Sequence, residues 1–262
     1  MIKILNNAKF PLNICRGTSE QRIHSAIKLN EELFNNLSKE FYRPTISVDT
    51  FTKSLKSVLK GNKIDFKIKN SEIYNCNGAC ARDFNWKNQT KEVCGYSIYL
   101  PINDYDNSLS INDIGTLMHE TLHFFIGLLS PKHTTRDAKC FDIDLYKKTE
   151  SFYNKFIYSS KYTPENLKEN LLPKILNTLT PEEKINFLQA TRYRLKEEMH
   201  CFLDGSIYDY KIKNIHKKFF ENPEYKPDGN SFRFPEKITI LEQELAKTLK
   251  DVRENMAKSK NL

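Results

Sequence analysis

Two histidines and a glutamate in the stretch TLMHETLHFF, residues 116–125, have the residue types and the spacing of a metal site. His119 and His123 stand four residues apart, so on a helix both imidazoles project from one face and can bind one metal ion. Glu120 lies about 100° around that helix from His119, which keeps it out of direct coordination. Zinc lowers the pKa of a bound water to about 7, and a nearby carboxylate can accept its proton as the water attacks a carbonyl. The stretch therefore predicts a hydrolytic site with one zinc ion (Zn2+) per chain.

The five residues from His119 to His123 match the HExxH signature, and the segment resembles the zinc metallopeptidases called zincins. No charge or proline interrupts the flanks of the motif. The resemblance implies a zincin-like fold, endopeptidase activity on protein or peptide substrates, and a role for Glu120 as base and then proton donor. It also implies that the strand before this helix lies at the edge of a small sheet and pairs with extended substrate. The segment GYSIYLP, residues 95–101, occupies that place.

A third zinc ligand must come from elsewhere, because a catalytic zinc takes three protein ligands and leaves one position for water. The metzincin continuation HExxHxxGxxH is excluded, since Ile126 and Leu129 stand at its glycine and histidine positions. The gluzincin branch takes a glutamate from a later helix, and the segment RYRLKEEMHCFLDG, residues 192–205, offers Glu197 and Glu198.

Helical phase separates these two glutamates. An apolar stripe at spacings of three and four runs through Leu188, Thr191, Leu195, Met199 and Phe202. At 100° per residue, Glu198 lies about 70° from the centre of the stripe and Glu197 lies nearly opposite. We therefore predict that Glu198 binds zinc and that Glu197 is solvated. The alternatives that remain for the third ligand are His133, Asp142, Asp144 and Asp204.

Further candidates lie close to Glu198 in the sequence. Arg194 precedes it by one turn and could orient its carboxylate. Candidate donors to a developing oxyanion are Tyr193, His200 and Tyr208, each with an ordinary structural role as the alternative.

Three cysteines, Cys76, Cys80 and Cys94, form a C-x3-C pair with a third cysteine further on. The usual structural zinc pairs are more closely spaced, so these cysteines are predicted to be thiols.

The predicted elements run from helices through a small sheet to many helices. Apolar periodicity predicts helices over 19–41, 50–60, 111–129, 141–158, 163–179, 180–205 and from about 235 onward, and alternation predicts strands over 63–70 and around 94–103. The expected helix boundaries are caps at Asp49, Ser110, Thr163 and Thr180, ends at Gly61 and near Gly205, and a kink or division at Pro173. The fold class is α+β and zincin-like, predominantly helical with a small sheet before the active-site helix. We expect one catalytic domain over 1–262, with helices and sheet in 1–110 and the metal site in 111–262.

Composition excludes a disordered chain, since 39% of the residues are hydrophobic and 12% aromatic. No stretch has the roughly 20 apolar residues of a membrane span, and no secretory signal is evident at the start. We therefore expect a cytoplasmic protein, or a bacterial effector exported to a host cell by a signal-peptide-independent system. The alternative function is a basic binding module with a structural or vestigial zinc. The net charge of +8 allows such a module to contact nucleic acid.

Overall fold

The computed structural model describes residues 19–60, 64–74, 78–87, 90–129, 148–149, 151–152, 166–220 and 233–260. Within these ranges the chain is predominantly helical with two small sheets, which confirms the α+β class. It divides into two compact units, the first of residues 1–135 and 200–227 and the second of residues 136–199 and 228–262. That the fold is zincin-like, and that the chain forms a single catalytic domain, remain predictions.

The first unit contains most of the strands and the helix that carries the HExxH motif. Its elements are α1 (Ser19–Leu37), β1 (Thr45–Ser47), α2 (Val48–Val58), β2 (Phe66–Asn70), β3 (Ala79–Lys87), β4 (Thr90–Leu100), β5 (Ile102–Asn103), β6 (Ser108–Ser110) and α3 (Ile114–Leu129). The cap predicted at Asp49 is wrong by two residues. Ser47 caps α2 by accepting a hydrogen bond from the Thr50 amide at 3.1 Å, while Asp49 lies in the first turn and pairs with Lys53 at 2.6 Å.

β4 is the central strand of its sheet, whose order is β2–β4–β3. It pairs in parallel with β2, from Phe66↔Tyr96 onward, and antiparallel with β3, from Ala79↔Tyr99 onward. The prediction that residues 95–101 form an edge strand is therefore wrong, because main-chain partners lie on both sides. The other sheet has the order β1–β6–β5 and is antiparallel.

α3 is the most deeply buried helix near the sheets. The Ser110 hydroxyl caps the 3-10 turn that leads into it by accepting from the Asn112 amide at 3.1 Å, as predicted. The Phe124 ring packs against the rings of Tyr96 and Phe66 on the sheet, at centroid distances of 5.2 and 5.8 Å. Every residue of α3 is buried except Thr116 and His119, which are half-buried.

The second unit is helical where it is described. A π-helical stretch, Leu167–Leu171, runs into α4 (Leu172–Leu176), and α6 (Arg233–Lys260) is the last helix. The π-helical stretch ends two residues before Pro173, where a kink or division was predicted, and proline has no N–H to continue the regular hydrogen-bond ladder. Arg192 Nε donates to Glu242 Oε1 at 3.0 Å within this unit.

α5 (Pro181–Phe220) is a helix of 40 residues that contributes to both units, with the division between Met199 and His200. The predicted cap at Thr180 is confirmed: Thr180 N donates to Glu183 Oε2 at 2.7 Å, and Glu183 N donates to Thr180 Oγ1 at 3.3 Å. The end predicted near Gly205 is wrong, since the helix continues for fifteen more residues. A Cβ at Gly205 would lie 2.7 Å from the carbonyl oxygen of Gly115 on α3. This glycine therefore permits a close approach of two helices instead of ending one.

No helix in the described ranges is both long enough and apolar enough to cross a membrane.

Candidate metal centre

α3 brings the two histidines of the motif together. Their Nε2 atoms lie 3.2 Å apart and their ring centroids 4.9 Å apart. His119 is half-buried and His123 is buried, so the pair lies where α3 meets the edge of the core. Two imidazole nitrogens that converge in this way can bind one ion.

Glu198 joins the two histidines. One ligand atom from each of His119, His123 and Glu198 lies within 4.8 Å of the others. Phe202 follows Glu198 by one helical turn, and its ring packs on the His119 ring at 4.6 Å. Because α5 is continuous through these residues, the contact at Phe202 also places Glu198 beside the motif.

The three side chains fit a zinc ion. Two histidines and a glutamate are one of the donor sets of catalytic zinc, and two nitrogens on a tetrahedral zinc at about 2.0–2.1 Å would lie about 3.3–3.4 Å apart. The observed separation of 3.2 Å is close to that value. Among the described residues the group contains three ligands, the number that leaves one coordination position for water or substrate.

Arg194 contacts Glu198 as predicted. Its Nη2 lies 2.9 Å from Glu198 Oε1, and its Nη1 lies 3.7 Å from Glu197 Oε1. The Glu198 side chain is 3% exposed, so its charge needs a partner inside the protein. The short contact to the guanidinium supplies that partner and fixes the orientation of the carboxylate.

Glu197 is buried, at 7% exposure, so the prediction that it is solvated is wrong. The buried face of α5 changes along the helix. Before Glu197 the buried residues are Phe187, Leu188, Thr191 and Leu195, and after Glu198 they are Cys201, Asp204, Gly205, Tyr208 and Ile212. The second set lies roughly 90° around the axis from the first, and Glu197 falls on its side. A single stripe drawn along the whole segment misses this change.

Glu120 is buried at 7% exposure and lies against the start of β3. A Cβ at Gly78 would lie 2.8 Å from Glu120 Cγ, 2.8 Å from Thr116 Cγ2 and 3.0 Å from Glu120 Oε1. The backbone at Gly78 therefore lies close against the Glu120 side chain, and a larger residue at this position would have to displace Glu120 or Thr116.

The three predicted oxyanion donors lie on other faces or other turns of α5 than Glu198. Tyr193 and His200 project from α5 about 140° and 160° away from it. Tyr208 is two to three turns further on, about 15 Å along the axis, and its ring packs on Phe34 at a centroid distance of 4.4 Å. Burial, together with the neighbouring Asp204 and Glu31, raises the pKa of the Tyr208 hydroxyl above its usual range.

Asp204, an alternative third ligand, is not part of the metal-binding group. It is buried, and its Oδ2 accepts a hydrogen bond from Asn30 Nδ2 at 2.6 Å. Burial raises the pKa of the Asp204 carboxyl to about 6, although the hydrogen bond from Asn30 and the charge of Lys211 act in the opposite direction.

No structural or functional role was predicted for Asn30 from the sequence. The signal in the sequence is its position within the apolar stripe of α1, between Ile27 and Leu33.

Several predicted residues lie outside the described part of the chain: His133, Asp142, Asp144, Cys76, the side chain of Cys94 and the cap at Thr163. Gly61 also lies outside it, but the helix end predicted there is wrong, since α2 already ends at Val58 with Leu59 as its C-cap. Cys80 is half-buried and is a thiol, as predicted.

Comparison with protein-family models, with curated proteins and with solved structures gave no match for this chain.

Proposed function

We propose that the protein is a zinc-dependent endopeptidase that hydrolyses peptide bonds in protein or peptide substrates. His119, His123 and Glu198 would hold the zinc, and Glu120 would be the catalytic base. The observation that carries the proposal is the convergence of two imidazole nitrogens and one carboxylate from two helices, with a second buried carboxylate next to the first histidine.

Bound zinc would supply Lewis-acid chemistry at this site by polarising the scissile carbonyl and lowering the pKa of a water. Glu120 accepts a proton from the attacking water as the new C–O bond forms. It then donates that proton to the amine nitrogen as the C–N bond breaks. Its burial removes competing water from the carboxylate, and the Gly78 backbone fixes its position from one side.

β3 is the strand that would bind an extended substrate. It pairs with β4 on one side, and in the described part of the chain no strand pairs with its other side. It begins at Ala79, directly after the residue that approaches Glu120. A peptide added to this outer edge through main-chain hydrogen bonds would run past the general base. This assignment replaces the one made for β4.

A basic binding module is supported less well. The last helix, α6, alternates basic with acidic residues, and Lys250 Nζ lies 3.8 Å from Glu254 Oε1. A nucleic-acid surface needs a continuous face of lysine and arginine, which this alternation interrupts.

The test is zinc-dependent cleavage of a peptide library by the purified protein. We expect cleavage with zinc, loss of cleavage with a chelator, and recovery when zinc is added back. Glu120→Gln should bind zinc with the affinity of the parent and cleave nothing, because it keeps the size of the side chain and removes the base. Cleavage that survives either the chelator or this substitution would overturn the proposal.

A further inference from the structure

Asn30 is a fully buried amide with hydrogen bonds to two other helices of the first unit. Its Nδ2 donates to the carbonyl oxygen of Met118 at 2.8 Å and to Asp204 Oδ2 at 2.6 Å. Its Oδ1 accepts from Thr121 Oγ1 at 2.6 Å. A buried amide costs free energy unless it is hydrogen-bonded, and a satisfied buried network holds its members in one arrangement.

The contacts on α3 lie at the start of the HExxH motif and within it. Met118 directly precedes His119, and Thr121 lies between Glu120 and His123. Thr121 projects from α3 about 160° away from His119, so Asn30 binds the face of the helix that turns away from the imidazole. Asn30 therefore acts on the histidines through the helix that carries them.

On α5 the partner of Asn30 is Asp204, and the same helix carries Glu198, the proposed third ligand. Asp204 follows Glu198 by six residues, less than two turns. One amide thus bonds both to the helix with the two histidines and to the helix with the glutamate. A small rotation or slide of either helix would break a hydrogen bond of 2.6 Å.

We propose that Asn30, with Thr121, is a positioning element of the metal site that holds α3 and α5 in the arrangement zinc requires. This inference rests on the proposed zinc site. A network that only stabilised the fold would affect unfolding without a separate effect on zinc affinity, and that difference makes the two roles distinguishable.

The experiment compares zinc affinity and stability in four variants of the full chain. Thr121→Val and Asn30→Leu remove the hydrogen bonds at nearly constant volume. Thr121→Ser keeps the hydroxyl. Thr191→Val is the matched control, because Thr191 is also a buried helical threonine and its hydroxyl donates to the Phe187 carbonyl of its own helix at 2.8 Å. Zinc Kd is measured by competition with a chromophoric chelator, and the unfolding free energy is measured on zinc-free protein.

We expect Thr121→Val and Asn30→Leu to raise the zinc Kd about tenfold, the low end of the range for residues that support metal ligands. Thr121→Ser and Thr191→Val should stay within about twofold of the parent. If Thr121→Val binds zinc no more weakly than Thr191→Val, or if affinity falls only in proportion to stability across all four variants, the positioning role is wrong while the zinc site stands. Failure of the parent to bind zinc would overturn both proposals. If Asn30→Leu does not fold, the comparison of the three threonine variants still decides the question.

Discussion

Gly205 on α5 lies against the backbone of Gly115 on α3, so closely that a Cβ at Gly205 would lie 2.7 Å from the Gly115 carbonyl oxygen. The same Cβ would lie 3.4 Å from the Cβ of His119. The two helices that carry the proposed ligands can therefore approach this closely only because residue 205 has no side chain. Widening it would separate Glu198 from the histidines.

Gly205→Ala should destabilise the protein and weaken zinc binding. Alanine normally stabilises a helix relative to glycine by about 0.5–1 kcal/mol, but the overpacked contact should cost about 1–3 kcal/mol here. Denaturant unfolding of zinc-free protein and a zinc titration measure the two effects. Ile207→Ala, two residues along α5 at an exposed position, is the control and should change stability by no more than about 0.5 kcal/mol. A Gly205→Ala protein more stable than the parent would contradict the close approach.

Glu197→Gln and Glu198→Gln should differ in metal binding. Glu198→Gln removes the carboxylate of the proposed third ligand and should abolish measurable zinc binding at micromolar metal. Glu197→Gln keeps that ligand, so zinc affinity should stay close to the parent value. Both residues are buried and contact Arg194, so both substitutions should cost some stability. Calorimetric zinc titration of the two proteins checks this, and loss of zinc binding in Glu197→Gln alone would show that the neighbouring carboxylate is the ligand.

Asp204 should make stability depend on pH. Its pKa in the folded protein is raised to about 6 from the usual 3.8, mainly by burial. The folded state therefore keeps a proton that the unfolded chain releases as pH rises from about 4 to about 6, and this group's contribution to stability falls through that window. The full penalty above the window is on the order of 3 kcal/mol.

Asp204→Asn removes this titration and keeps an oxygen that can accept from Asn30. Its stability relative to the parent should therefore rise as pH increases from about 4 to about 6 and then level off. Unfolding of zinc-free protein at several pH values in this range measures the difference. A difference that does not change with pH would show that Asp204 has no raised pKa.

The sequence was sufficient for those parts of the site that depend on local pattern. Apolar residues around the motif and the hydroxyl of Ser110 predicted α3 and its start, and the position of Arg194 one turn before Glu198 predicted their ion pair. These relationships lie within one helix, so the 3.6-residue repeat determines them.

Relationships between elements were predicted less well. The burial of Glu197 follows from a change in the face that α5 buries, and the role of Gly205 follows from a helix 90 residues earlier in the chain. The order of strands in a sheet depends on pairing partners, so residues 95–101 gave no sign that β2 and β3 would flank them. The apolar stripe of α1 indicates that Asn30 is buried, but its hydrogen-bond partners lie 88, 91 and 174 positions away, and no local pattern indicates them.

The central claim is that His119, His123 and Glu198 bind one zinc ion. Its most direct test is a crystal structure of the zinc-loaded protein with anomalous diffraction recorded on both sides of the zinc edge. We expect one zinc peak per chain, with a nitrogen of each histidine at about 2.0–2.1 Å and a Glu198 oxygen at about 2.0–2.2 Å. A zinc-loaded crystal with no anomalous peak at these residues, or with a peak coordinated by a different carboxylate, would contradict the account.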